Sequence, residues 1–502
     1  MSDTAILRRE IESLENARLE ISTKLCHLRR KLKQTATFPI LTLPPEIVSE
    51  IFLRSILPDH RADIYSPARL PAIHSCSPLL FMQICRAWRT VALATPRLWR
   101  NVDVPVTCKD PANILDTFAE RAYAVPLHVE IWAQDGGADH PREEVPEELA
   151  EFAQSLRRHA PKVESLVMTL GPFDAVVINA HTFDFARLCH LRLDLECTDL
   201  WRGSKFIAFR NTAELRSFVL HGTPPVFIDV PWAQLTELKT EDLTLDEAIT
   251  ALRLAPNVTH ASLIPNLEWH PAWSQPIVPL IHPLIRHLDL TEAARLPEGN
   301  GAEVFGLMCL TLPALESLVL DCTIRMTPQI FSDFLRRSAP PLRSLTFKAD
   351  ALGGLQRWDS MEPFVGLKIT SLTIELPPPT FTQLFLGALG RGYEAGFLPA
   401  LESLSMHCDE SDSENGLEQL MSDVGYAVQC RRYEWQTAKS KSELGLEATL
   451  GSCPLRSLRL LSRGRAGLVF DLPSDSYAIQ TLQSLEDQGL DIYAGTADQR
   501  IF

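Results

Sequence analysis

Histidine and serine are the side chains whose spacing in this chain could support chemistry. His190, His260 and His287 recur at one position of a repeated strand pattern in which seven of eleven residues are serine. Zinc requires several converging ligands, and no carboxylate or thiol recurs at a matching spacing. The eleven cysteines are scattered without a C-x-x-C pair, so we predict no metal centre and no disulfide framework. The G-x-S-x-G, H-E-x-x-H and P-loop patterns are absent, and we expect neither catalysis nor a cofactor.

Composition narrows the class of protein. The 502 residues predict about three domains at ~150 residues each. The formal net charge of −15 argues against broad nucleic-acid binding. No apolar run reaches the ~20 residues that span a bilayer, so we expect no membrane insertion. The N-terminus alternates charges where a signal peptide would be apolar, which favours a cytoplasmic and/or nuclear location.

Residues 4–34 have the pattern of a heptad helix. No Gly or Pro interrupts them, and apolar residues follow steps of four and three, with Arg18 in one slot. The seam is Leu7, Ile11, Leu14, Ile21, Leu25, Leu28 and Leu32. The pattern predicts a short coiled coil with a partner or a second copy. Two alternatives remain: a helix packed on its own chain, and a basic targeting signal.

Residues 38–104 predict a small helical unit with more large apolar side chains than it can bury. Leu43-Pro44-Pro45-Glu46 is typical of a helix start, because proline and an acid suit the first turn. Ile47, Ile51 and Phe52 continue its apolar stripe, and a loop rich in Pro, Ser and His follows. A second helix is predicted through Leu80, Phe81, Ile84, Cys85, Trp88, Val91 and Ala92. Exposed apolar surface on so small a unit indicates a partner site.

This segment resembles an F-box. The matching stretches are Leu-Pro-Pro-Glu-Ile-Val-x-x-Ile-Phe, then Ile-Cys-Arg-x-Trp-Arg-x-Val-Ala, then Thr-Pro-x-Leu-Trp. The preceding heptad helix and the long internal loop are similar to F-box proteins expanded in mushroom-forming fungi. The resemblance implies docking on the Skp adaptor of a cullin–RING ubiquitin ligase. The implied adaptor-facing residues are Leu43, Pro44, Ile47, Ile51, Phe52, Ile84, Cys85 and Trp88, with Leu98 and Trp99 as anchors. The alternative is a helical bundle that only caps the C-terminal region.

Residues 149–480 repeat an apolar L-x-x-L-x-L pattern. Its middle positions are 166, 191, 218, 238, 261, 288, 318, 345, 372, 404 and 458. If the last interval holds two units, the average period is about 26.5 residues, inside the 20–29 range of leucine-rich repeats. We therefore predict an α/β fold in which an irregular leucine-rich-repeat solenoid, a horseshoe, follows the heptad helix and the F-box-like bundle. Residues 105–148 would connect the parts through an acidic loop, and 481–502 would form a cap or tail.

The outward positions of these predicted strands form a candidate substrate face. Its charged and histidine members are His190, His260, His287, Glu316, Arg343, Glu402 and Arg456. Repeat surfaces commonly bind protein partners. The alternative interpretation is a solvated strand face whose charges pair across neighbouring repeats.

Together these features predict the substrate-recognition subunit of an SCF-type (Skp–cullin–F-box) ubiquitin ligase. The F-box-like unit would dock the adaptor and the repeats would hold an unknown target protein. A second hypothesis is a non-catalytic coiled-coil and repeat scaffold that is not coupled to ubiquitination. A third is a hydrolase hidden in a divergent repeat fold, which would need clustered polar groups with shifted pKa values in a pocket.

Overall fold

The structure is a computed structural model of the full chain. It describes residues 21, 23–25, 27–31, 43–56, 78–132, 147–195, 205–266, 278–292, 306–322, 327–349, 355, 358–391, 396–408, 416–443, 455–462 and 476–496. The chain divides into two compact units: Met1–Asn101 with Phe118–Val125, and Val102–Thr117 with Pro126–Phe502.

The first unit is helical. Residues 21, 23–25 and 27–31 are helical, and the rest of the predicted heptad helix lies outside the described residues. Helix α1 (Pro45–Ile56) begins at the predicted Pro-Glu pair, with Glu46 in its first turn. Apolar spacing predicted a single second helix, and this prediction is wrong. The segment forms two helices, α2 (Pro78–Ile84) and α3 (Arg86–Leu93), followed by a 3-10 turn at Pro96–Trp99.

Cys85 causes the break between α2 and α3. Its backbone is extended, with φ −159° and ψ 169°, so the helix cannot continue through it. Its Sγ accepts a hydrogen bond from the backbone N–H of Trp88 at 3.5 Å, which caps α3. The apolar spacing continues unchanged across this residue, and for that reason the spacing alone gave no sign of the break.

The second unit is built on one long parallel sheet. Its strands are β1 (Asn101–Pro105), β2 (Leu127–Trp132), β3 (Val163–Leu170), β4 (His190–Leu195), β5 (Ser217–His221), β6 (Glu237–Leu243), β7 (His260–Pro265), β9 (His287–Glu292), β11 (Ser317–Cys322), β12 (Ser344–Ala349), β13 (Ser371–Glu375), β14 (Ser403–Cys408), β15 (Ser457–Ser462) and β16 (Asp491–Thr496). These fourteen described strands follow one another in chain order. Two short strands, β8 (Leu280–Ile281) and β10 (Leu310–Thr311), pair in a separate sheet.

Helices lie in the connections between strands. They are α4 (Pro111–Ala122), α5 (Glu147–His159), α6 (Pro172–Asn179), α7 (Leu245–Leu254), α8 (Gly306–Cys309), α9 (Pro328–Ser338), α10 (Pro379–Arg391), α11 (Gly416–Glu443) and α12 (Tyr477–Asp487). The core lies between these connections and the leucine-bearing face of the sheet. For example, Phe331 of α9 and Trp358 meet Phe347 of β12 at ring-centroid distances of 5.7 and 5.6 Å.

Strand register follows the predicted leucine pattern. Leu288, Leu318, Leu345, Leu372 and Leu404 stand opposite one another on successive strands. These leucines are buried, while the residues on either side are at least partly exposed. Burial on alternate residues is the pattern of a strand with one face on the core. The predicted positions of the buried residues in each strand are therefore confirmed.

The α/β class is confirmed, but the finer fold prediction is wrong. The described residues form a fourteen-stranded parallel sheet with helices rather than the predicted leucine-rich-repeat horseshoe. The helices α1 to α3 do not by themselves identify an F-box-like bundle. The interval from 404 to 458 is one unit, because β14 pairs directly with β15, and α11 with its 28 residues lies between them. Leucine spacing indicates which strand residues face the core, but it does not fix what connects the strands.

The sheet also extends past both predicted boundaries. Strand β2 lies in the stretch assigned to the connecting region, and β16 lies in the stretch assigned to the cap or tail. Both pair in parallel with their neighbours, β2 with β3 and β16 with β15. Residues 133–146 of the predicted connecting region lie outside the described residues, and α5 begins at Glu147.

Candidate partner-binding surfaces

An aromatic cluster forms the core of the N-terminal helical unit. Phe52 of α1 stacks on Phe81 of α2 with ring centroids 4.1 Å apart. Trp88 of α3 contacts both rings at 4.9 and 6.1 Å. Phe52 is only 1% exposed. The aromatic residues assigned to adaptor docking therefore hold α1, α2 and α3 together, and Phe52 is unavailable as a surface contact.

The aliphatic residues of the predicted motif lie on the surface instead. Ile47, Ile51 and Ile84 are 49%, 40% and 54% exposed. Pro44 is also exposed, whereas Leu43, Cys85 and Trp88 are partly buried. Leu79 and Leu80 of α2 and Leu93 of α3 are further exposed apolar residues, which were not assigned to this surface from the sequence. We call Ile47, Ile51, Leu79, Leu80, Ile84 and Leu93 the exposed aliphatic set.

Polar contacts fix the helices that carry this set. Ser49 Oγ of α1 lies 2.9 Å from Thr95 Oγ1, just beyond α3. Thr95 Oγ1 in turn lies 2.7 Å from the Val91 carbonyl oxygen, to which it donates. This chain of hydrogen bonds ties α1 to the end of α3. The exposed aliphatic side chains are thus carried on helices that are held in place without them.

Leu98 and Trp99, the predicted anchors, are both buried. Trp99 Nε1 donates to the Ala92 carbonyl oxygen at 2.9 Å, and its ring contacts Phe118 edge-on at 5.1 Å. The Arg121 guanidinium lies 4.3 Å from the centre of the Trp99 ring. A cation over an indole face is attractive. Packing, a hydrogen bond and a cation–π contact therefore all hold Trp99.

The second candidate surface is the sheet face opposite the buried leucines. One column of residues runs across it in register: His128, Ser165, His190, Ser217, Glu237, His260, His287, Ser317, Ser344, Ser371, Ser403, Ser457 and Asp491. The structure thus brings the predicted His190, His260 and His287 into one column. The rings of His260 and His287 stack with centroids 4.3 Å apart and planes 10° apart. His190 is exposed on β4, three strands away from His260.

The predicted charges lie immediately before this column. Glu402 pairs with Arg456 at 3.4 Å, and Glu316 pairs with Arg286 at 3.5 Å. Arg343 is exposed between these pairs. Because these side chains are largely solvated, each ion pair contributes at most about 1 kcal/mol. These ion pairs therefore add little to stability, and their main effect is a pattern of alternating charge along one edge of the face.

A cluster of partly buried charged and titratable side chains farther along the same face was missed from the sequence. Glu241 of β6, whose side chain is 7% exposed, meets Arg192 at 2.8 Å and Lys239 at 3.0 Å. Asp194 accepts a hydrogen bond from His221 Nδ1 at 3.0 Å. That hydrogen bond raises the pKa of His221, against the lowering effect of its burial. These residues lie two and four positions beyond the histidine and serine column, so extending the same alternation along each strand would have found them.

A β-bulge marks this cluster. The register between β6 and β7 shifts after Glu241, and Asp242 adopts a left-handed backbone with φ 54°. Bulges re-aim side chains and are common near functional sites. Arg192 and Lys239 both pair with Glu241, and His221 pairs with Asp194. These contacts join side chains of β4, β5 and β6 on this face.

Asp116, Ser155 and His159 form the described grouping most similar to a hydrolase triad. Ser155 Oγ donates to Asp116 at 2.5 Å, and His159 Nε2 lies 2.9 Å from the same carboxylate. Burial raises the pKa of Asp116. The two hydrogen bonds and the charge of Arg158 lower that pKa by a larger amount, so the net shift is downward. In a catalytic triad the imidazole stands between the hydroxyl and the carboxylate. Here the carboxylate stands between them and Ser155 is buried, so this grouping does not activate a nucleophile.

Within the described ranges, no three His, Cys, Asp or Glu side chains converge in a way that could hold a metal ion. No helix in the described part of the chain combines the length and apolarity needed to cross a bilayer. The sequence matches no protein-family model and no curated protein.

Proposed function

We propose that this protein is the substrate-recognition subunit of an SCF-type ubiquitin ligase, acting in the cytoplasm and/or nucleus. The exposed aliphatic set would dock a Skp-type adaptor, and the polar sheet face would hold the target protein. The receptor itself performs no chemistry. By holding a target on the chain that binds the ligase, it raises the local concentration of that target near the ubiquitin-charged enzyme.

One observation carries this proposal. Ile47, Ile51 and Ile84, which the F-box-like motif assigns to the adaptor, are exposed although the aromatic core beside them is closed. Burying one such side chain contributes about 1.5–3 kcal/mol. Exposing these three isoleucines to water does not stabilise helices that already have an aromatic core. This surface is therefore best explained by a partner that covers it.

The direct test is adaptor binding by the variant Ile47→Ala/Ile51→Ala. We expect at least about a 30-fold rise in Kd for a purified Skp-type adaptor by calorimetry, because central anchors commonly contribute about 2 kcal/mol or more. The matched control is Glu50→Ala/Arg54→Ala, which removes an exposed ion pair on the same helix. It should bind as the wild type does.

Both variants should keep the circular dichroism and Tm of the wild type, since the altered side chains lie outside the aromatic core. Two results would overturn the proposal. One is a wild-type chain that binds no adaptor at micromolar concentration. The other is an Ile47→Ala/Ile51→Ala variant that binds as tightly as the wild type.

A further inference from the structure

The boundary between β7 and β9 differs from the rest of the sheet. The two strands share four aligned residue pairs, from His260 opposite His287 to Leu263 opposite Leu290. In the described residues, the other ladders from β2 to β16 have five or six pairs. Between β7 and β9 the chain leaves the main sheet to form β8, which pairs with β10. The ladder at this boundary is therefore one or two residue pairs shorter than those ladders.

A stacked histidine pair occupies the open face at the same place. His260 and His287 begin the short ladder, and their rings are 4.3 Å apart. Burial lowers the pKa of His287, and His260 lowers it further, while Glu316 opposes the shift and Arg286 adds to it. Glu237 of β6 is in register with His260, and Asp289 lies two residues along β9. Protonating His287 would place a charged ring against the stacked ring of His260 across the ladder.

A buried histidine lies in the segment that enters β9. His282 is 3% exposed, and its Nε2 lies 3.2 Å from the carbonyl oxygen of Ala255, the residue after α7. Its Nδ1 is buried and has no hydrogen-bond partner in the described part of the chain. Burial lowers the pKa of His282 and no charged group offsets it. A proton on Nδ1 would therefore leave a buried, unpaired charge at this connection.

We propose that the boundary between β7 and β9 is an acid-sensitive joint, where protonation of His287 against the stacked ring of His260, together with protonation of His282, opens the short ladder. Other serine-lined ladders of the sheet, such as that between β13 and β14, have no such pair. The proposal concerns the sheet alone and is independent of adaptor docking.

The direction of the pH effect follows from proton binding. In the closed joint the pKa values of His287 and His282 lie below 6.5, and in the open joint they return toward that value. The open form therefore binds more protons as the pH falls below 6.5, and acid favours opening. Each histidine that is protonated only in the open form shifts the equilibrium by up to about tenfold for each pH unit below its free pKa.

Hydrogen–deuterium exchange tests the joint on the full chain at about pH 7.5 and about pH 5.5, one unit either side of the free histidine value. After correction for intrinsic exchange, protection of residues 260–263 and 287–290 should fall at least about tenfold at the lower pH. The ladder between β13 and β14 serves as the internal reference and should change by less than about threefold.

The variant His260→Gln/His287→Gln removes the stacked pair. Between the two pH values, its loss of exchange protection should be at least about threefold smaller than that of the wild type. His190→Gln, which alters an exposed histidine of the same column, should behave as the wild type does. Equal protection of the joint and the reference at the lower pH would overturn the proposal. A double variant that loses as much protection as the wild type would overturn it too.

Discussion

At the scale of the residue, each strand places a buried side chain next to a solvent-facing one. Leu318 of β11 is fully buried, and Ser317 beside it lies on the polar face. We expect Leu318→Asp to lower the free energy of unfolding by about 4 kcal/mol or more, because a buried carboxylate there would have no partner. Ser317→Asp should change it by less than about 0.5 kcal/mol. Urea denaturation of both variants measures the difference, and equal midpoints would contradict the register.

The leucine register was predictable from sequence because burial on alternate residues leaves a direct signature in each strand. The buried position of Phe52 was not predictable from the sequence. It follows Ile51 in the motif, but the next position on a helix lies about 100° farther around the axis. That rotation turns Phe52 toward Phe81 and Trp88, while Ile51 stays exposed. Which side of α1 meets the other helices depends on packing that spacing within α1 cannot reveal.

At the scale of the element, the N-terminal helix shows apolar seam residues without a covering surface. Ile21, Leu25 and Leu28 are 59%, 46% and 58% exposed. We therefore expect the chain to self-associate through residues 4–34, with sedimentation giving a mass above the 56.2 kDa of one chain at micromolar concentration. Leu25→Glu should return it to the monomer, because a seam carboxylate disrupts coiled-coil packing.

The control for this helix is His27→Glu, which adds the same charge outside the heptad seam and should leave association unchanged. A wild-type chain that sediments as a monomer would show that the seam does not pair with a second copy.

Helix boundaries were predictable where the chain itself marks them, as at Pro45. The connection through α11 was not predictable, because a 54-residue interval fits two short units as well as one long helix.

At the scale of the whole molecule, the two units carry different kinds of surface. The exposed aliphatic set belongs to the helical unit, and the polar face with its partly buried ion pairs belongs to the sheet. The α/β class could be predicted because strand and helix patterns alternate along the chain. The horseshoe was inferred from an average period, which gives no information about how the connections pack.

Assembly of the full chain with a purified Skp-type adaptor and a cullin, followed by light scattering after size exclusion, tests the proposed function most directly. We expect one complex that contains all three proteins. Ile47→Ala/Ile51→Ala should remove the adaptor and cullin together, because in the proposed assembly the adaptor links this chain to the cullin. An adaptor complex that excludes the cullin would instead indicate a scaffold not coupled to ubiquitination, and would contradict the proposed function.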